Sequence, residues 1–187
     1  MPKQRVTREM VVEAAFAIAR ERGMEAVQVK TVAARLACSV QPIYSYCGSM
    51  EGLRRCVEER AKAFVRDYVD ARRDPAEPFR SAGLAHLTLA AEEPHLYRVF
   101  DLRRQEGTTS LEDVYRREAS PAHAAWLAER LQLSRERAQA LHLHMLLYTM
   151  GMGFLLASTV PGIPLEEARR QLEAAYEAFV RQAMEGV

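Results

Sequence analysis

The 187-residue sequence predicts an all-α protein: an N-terminal three-helix head carrying a helix-turn-helix, followed by a helical-bundle body. Three observations predict it. Apolar residues recur at helical spacing along nearly the whole chain, and no alternating, β-branched run marks a strand. Residues that start and stop helices stand at matching intervals. In the first third, two short apolar stripes are separated only by Ala37-Cys38-Ser39. The reading places the head at 1–53 and the body at 54–187.

The elements follow in order. Thr7 is an N-cap, and Val11, Ala14, Ala15 and Ile18 form the first stripe. Gly23 stands where a helix ends in a left-handed residue. Val29, Val32, Ala33 and Leu36 form a second, short stripe, and Val40, Ile43, Tyr44 and Cys47 a third. Ser39 is read as the cap of that third helix, with Pro42 in its first turn, where a missing N–H does no harm. Ser49 caps a charged fourth helix running to about Arg73. Asp74-Pro75 and Glu77-Pro78 mark a loop, Phe79 to Glu92 a helix, and Pro94 opens another. Glu106-Gly107-Thr108-Thr109 is a loop, after which Ser110, Ser120-Pro121 and Ser134 each begin a helix. Pro161-Gly162-Ile163-Pro164 is a tight connection into the last helix.

Composition narrows the class. Hydrophobic residues make up 49% and charged residues 27%, the balance of a folded globular chain. Net charge is only +1, so recognition of nucleic acid has to rest on local charge. Within residues 1–46, seven basic side chains stand against four acidic ones. Three cysteines, Cys38, Cys47 and Cys56, and an N-terminus lacking an apolar stretch argue against a secreted disulfide scaffold. The expected compartment is the cytoplasm. From Ala138 to Leu165 there is no Lys, Arg, Asp or Glu, a length sufficient to span a bilayer. A buried helix that is apolar nearly all round explains the same run.

The second and third stripes have the layout in which the second helix of a pair enters the major groove. Val40, Ile43, Tyr44 and Cys47 are expected to pack inward on the first helix. Ser39, Gln41, Pro42, Ser45 and Tyr46 are then left outside. Glutamine can bond adenine edges and proline can touch a thymine methyl. Ser39, Ser45 and Tyr46 can donate to phosphates, and Lys30 can pair with one. The alternative is a plain three-helix packing unit.

These residues also carry a resemblance. Thr7-Arg8-Glu9, Ala14-Ala15, Gly23, Val32-Ala33, Ser39, Ile43-Tyr44-Ser45-Tyr46 and Ser49-Met50-Glu51-Gly52-Leu53 resemble the DNA-binding head of the TetR family of transcriptional regulators. The resemblance spans Thr7 to Leu53, and the remaining chain matches in outline. It implies an all-helical homodimer, a ligand cavity in each body, and release from an operator when a small molecule binds. It places Lys30, Ser39, Gln41, Pro42, Tyr44, Ser45 and Tyr46 at DNA. Four positions depart from the pattern. Ala37 replaces a turn glycine, Cys47 a phenylalanine, Met50 a phosphate-contacting lysine, and Gln28 a capping Thr or Ser.

In the body, the last two helices are expected to form a dimer face. Gly151 and Gly153 allow close approach, and Leu165, Leu172, Phe179 and Ala183 form a stripe suited to a four-helix bundle across a two-fold axis. Candidates for lining a ligand cavity are His86, Phe100, Trp126, His142, Met145, Tyr148 and Met152. Ordinary core packing explains most of the same residues. His142 and His144 lie two apart, so they face different ways and do not make a metal pair. No cofactor, metal or catalytic residue is expected. Paired Glu-x-x-His motifs, a nucleophile elbow and a phosphate loop are all missing from the sequence. The competing readings are an all-helical enzyme using the histidine-bearing helices and a protein anchored in a membrane through 138–165. Cys38 and Cys47 read either as small core residues or as oxidisable thiols in the head.

Overall fold

The computed structural model describes residues 6–101 and 107–185, the side chains of Phe100 and Asp101 excepted. Ten α-helices and no strand occur among the described residues. Helix α1 (Arg8–Arg22) begins where the Thr7 hydroxyl accepts from the Met10 N–H at 3.2 Å. It ends at Gly23, whose φ of 86° suits glycine, and the Gly23 N–H bonds the Ala19 carbonyl at 2.8 Å. After one 3₁₀ turn, Met24–Ala26, the chain enters α2 (Val29–Arg35). The front of α2 is held by Thr31, whose hydroxyl accepts from the Gln28 N–H at 3.0 Å.

The turn into α3 (Gln41–Cys47) passes through Ala37 at φ 49°. That left-handed conformation is the one the turn glycine would have supplied, and it is adopted without glycine. The cap of α3 differs from expectation. Val40, not Ser39, stands in the cap position, and no side chain bonds the first turn. Pro42 sits there and brings no N–H, which reduces the number of donors to be capped. Ser49 does cap α4 (Met50–Asp70): its hydroxyl accepts from the Gly52 N–H at 3.0 Å. That helix stops at Asp70, short of Arg73, and the N–H groups of Arg72 and Arg73 close turns on Val69 and Asp70 instead.

The remaining helices are α5 (Pro78–Glu92), α6 (Pro94–Asp101), α7 (Leu111–Glu118), α8 (Pro121–Leu131), α9 (Arg135–Ser158) and α10 (Leu165–Glu185). Ser110 and Asp113 form a reciprocal capping box at α7. The Asp113 carboxylate accepts from the Thr109 and Ser110 backbone N–H groups and both hydroxyls, which holds its pKa down at about 2. Ser134 caps α9, accepting from the Arg137 N–H at 3.3 Å.

The chain divides into two compact units, and the division falls within α4, between Asp67 and Tyr68. The first unit takes in α1 to α3, most of α4, and α6; the second holds α5 and α7 to α10. The first unit is packed on Val11, Ala15, Val27, Val32, Ile43, Leu53 and Val57, each at most 1% exposed. Burying one such valine, leucine or isoleucine side chain contributes roughly 1.5–3 kcal/mol. A second cluster in that unit gathers Phe16, Ala61 and Leu96. In the second unit, α9 packs against α5, α8 and α10. By length and composition α9 is also apolar enough to cross a membrane. The uncharged run to Leu165 is not one helix, since α9 ends at Ser158.

Candidate nucleic-acid interface

Helix α3 is two turns long, and its anchor is Ile43, 1% exposed. Cys47, one turn on, packs partly on the same core. The expected inward stripe is corrected here: Val40 is 40% and Tyr44 50% exposed. A helix this short turns only one narrow face to its neighbours. Ile43 and Cys47 occupy it, and residues 40 and 44 fall to its edge. Gln41 and Ser45 are exposed, Pro42 is half-buried, and Ser39 is exposed in the turn.

Tyr46 is exposed as well, but its hydroxyl is engaged: it donates to the Val6 carbonyl at 3.0 Å. It therefore ties the segment before α1 to α3. Lys30, the second residue of α2, is exposed and makes no ion pair with any described residue. By contrast, Arg35 is neutralised by Glu21 through two bonds of 2.7 and 2.8 Å. Arg20 pairs with Glu93, and Arg60 with Glu13. These two guanidiniums also lie over the rings of Phe64 and Phe16. Lys30 is thus one exposed cation available to an anionic partner, and Gln41 and Ser45 of α3 are exposed as well. Met50 does not replace the missing lysine; it packs against the apolar core.

The expected ligand residues lie on α5, α6, α8 and α9. His142 is 4% exposed, and its Nδ1 lies 3.0 Å from the Tyr115 hydroxyl. Its ring meets Phe79 edge-on at 5.3 Å and lies 5.7 Å from His123. Burial, with the His123 charge second, pushes the His142 pKa down to about 4. Burial also lowers the pKa of His86 and His123 and raises that of Tyr115. Neutral His142 and the protonated Tyr115 hydroxyl therefore share a hydrogen bond. His86 is half-buried on α5, Trp126 half-buried on α8, and Met145 buried on α9. Tyr148 turns elsewhere: its ring contacts Phe179 of α10, as does that of exposed His144. His142 and His144 do face different ways. Met152 is half-buried on α9. Phe100 lies on α6, in the other compact unit, and its side chain is outside the described residues. Phe79, Tyr115 and His123 were not singled out from sequence. The helix starts at Phe79 and Ser120-Pro121 that place two of them were legible, but their convergence on His142 is a tertiary fact.

No protein-family profile matches the chain, and no curated protein sequence matches it. Solved structures do. A TetR-like transcriptional regulator from Rhodococcus sp. RHA1 superposes with a TM-score of 0.65 at 16% identity, covering 98% of this chain and 99% of that one. A transcriptional regulator from the same Rhodococcus strain gives 0.69 at 18% identity, covering 96% and 98%. The chain has the all-α, TetR-like fold along nearly its whole length.

Proposed function

We propose that this chain is a transcriptional regulator that binds DNA through α3, acting as a homodimeric repressor released by a small molecule. The observation that carries the reading is the two-turn helix pinned by Ile43, with Gln41, Tyr44, Ser45 and Tyr46 facing outward and Lys30 close by in the sequence. A glutamine and hydroxyls on a short helix after a tight turn suit base edges and phosphates of the major groove. DNA binding is assigned to 1–53, and the ligand and dimer functions to 54–187. The exposed face of α9 supports a dimer through α9 and α10: His144, Leu147, Gly151, Phe154 and Leu155 lie along it, with Phe154 and Leu155 each 43% exposed. Two heads would then read two half-sites of a palindromic operator about one helical turn apart. The aromatic surroundings of His142 support a small-molecule site in the body. The reading places the protein in the cytoplasm without a catalytic role.

The test is a gel shift with DNA from upstream of its own gene, with salt and competitor DNA varied. The expected result is binding that prefers one sequence and weakens steeply with salt. Binding without sequence preference overturns the reading.

A further inference from the structure

The helix assigned to DNA ends on a cysteine that has company. Cys47 is the last residue of α3, and Cys56 lies on α4. Gly52 seats the first turn of α4 on the backbone of Cys47: a Cβ at Gly52 would come within 1.9 Å of the Cys47 carbonyl oxygen. Cys56 follows Gly52 by four residues, so it is the next position on the α4 face that meets Cys47. The Cys56 side chain lies near enough to Cys47 to help raise its pKa. From α1, the Arg8 guanidinium donates to Cys56 Sγ at 3.5 Å. Both sulfurs belong to half-exposed residues, within reach of a small solute. Core packing alone asks for no cation beside a sulfur, whereas thiol reactivity does.

We propose that Cys47 and Cys56 are a peroxide-reactive dithiol that closes to an intramolecular disulfide. Cys56 is the attacking sulfur, since it is the one that accepts a hydrogen bond from the Arg8 guanidinium. It attacks one oxygen of a hydroperoxide, the O–O bond breaks, and the leaving alkoxide or hydroxide takes up the thiol proton. Cys56 becomes a sulfenic acid. The Cys47 sulfur then attacks the Cys56 sulfur, the S–O bond breaks, and water leaves with the Cys47 proton. Two thiols lose two electrons in all, and one hydroperoxide is reduced to an alcohol (or water) plus water. Burial, and the Cys56 thiol beside it, push the Cys47 pKa up to about 11, which suits the resolving rather than the attacking role. On the DNA-binding reading, the new bond ties the end of α3 to α4, one turn from Tyr44.

The experiment treats the full chain with hydrogen peroxide at neutral pH and maps the cysteines by mass spectrometry without reduction. The chemistry is read without DNA, so its outcome is separate from that of the gel shift. The expected product has lost two hydrogens, carries a Cys47–Cys56 cross-linked peptide, leaves Cys38 open to alkylation, and reverts with dithiothreitol. Cys47→Ser should leave a sulfenic acid on Cys56 that dimedone traps. Arg8→Gln, checked for unchanged helicity, should slow disulfide formation roughly tenfold, the scale of one lost charge–charge contact. A disulfide to Cys38, a bond between two chains, or over-oxidation without a cross-link overturns the proposal. So does dimedone labelling of Cys47 in a Cys56→Ser protein at the rate found for Cys56.

Discussion

In the first unit, Val11, Ala15, Val27, Val32, Leu53 and Val57 are all 0% exposed, and polar groups face outward. In the second, the core admits Thr88, His142 and Thr149, the buried polar side chains among the described residues. The contrast matters because a buried aliphatic contributes by area removed from water, at any pH, whereas a buried imidazole contributes only while neutral. The head is thus built to present chemistry on its outside, and the body keeps some of its chemistry inside.

The largest effect is expected in the head. Ile43→Ala removes the anchor of α3 and should cost about 2–5 kcal/mol in a urea titration, the usual range for such a deletion. A loss under about 1 kcal/mol would mean that α3 is held by something other than Ile43.

The body should fail first in acid. His142 has a folded pKa near 4 against an ordinary 6.5, so the unfolded chain binds the proton more readily. The associated stability is complete above pH 6.5 and is lost as pH falls toward 4, by about 3 kcal/mol if His142 acts alone. His142→Gln leaves an acceptor for Tyr115 and removes the titration. It should flatten stability between those two pH values. An unchanged slope in the variant would assign the acid sensitivity to other groups.

The outer face of the head yields a smaller, selective effect. Gln41→Ala should relax discrimination at one operator position by about 1–3 kcal/mol. Lys30→Ala should weaken binding to all sequences alike and lower the salt slope by about one. If Gln41→Ala weakens every sequence equally, Gln41 contacts phosphate and reads no base.

The same contrast explains what the sequence revealed. The head was legible because its signals are local: Thr7, Gly23 and Ser49 each act within four residues of themselves, and the caps they predict are present. Where the local signal was ambiguous it misled. Ser39 looked like a cap, but Pro42 removed a donor that would have used it. Tyr44 looked inward because periodicity does not say how wide a buried face is. In the body, helix boundaries were legible from Ser110, Ser120-Pro121 and Ser134. The grouping of Phe79, Tyr115 and His123 around His142 was not, because it joins four helices far apart in sequence. The Cys47–Cys56 neighbourhood escaped for a related reason, since only the close seat of Gly52 brings those faces together.

The smallest effect compares two strained residues, one in each unit. Ala37 and Gln132 both adopt left-handed backbone, at φ 49° and 53°. A residue with a Cβ loses roughly 1–2 kcal/mol there, and glycine does not. Glycine also gains freedom in the unfolded chain, which offsets part of the relief. Ala37 has no polar side chain to lose, so Ala37→Gly should raise the urea midpoint by an amount worth under about 1 kcal/mol, with the m-value unchanged. Gln132 is different: its side-chain amide donates to the Glu129 carbonyl at 2.8 Å. Gln132→Gly removes that bond along with the strain, and a hydrogen bond of this kind contributes about 0.5–1.5 kcal/mol. The body variant should therefore gain less than the head variant, or lose stability. Equal gains would show that the Gln132 side chain contributes nothing to its turn. A loss at Ala37 would show that the head's turn is not held in the left-handed region.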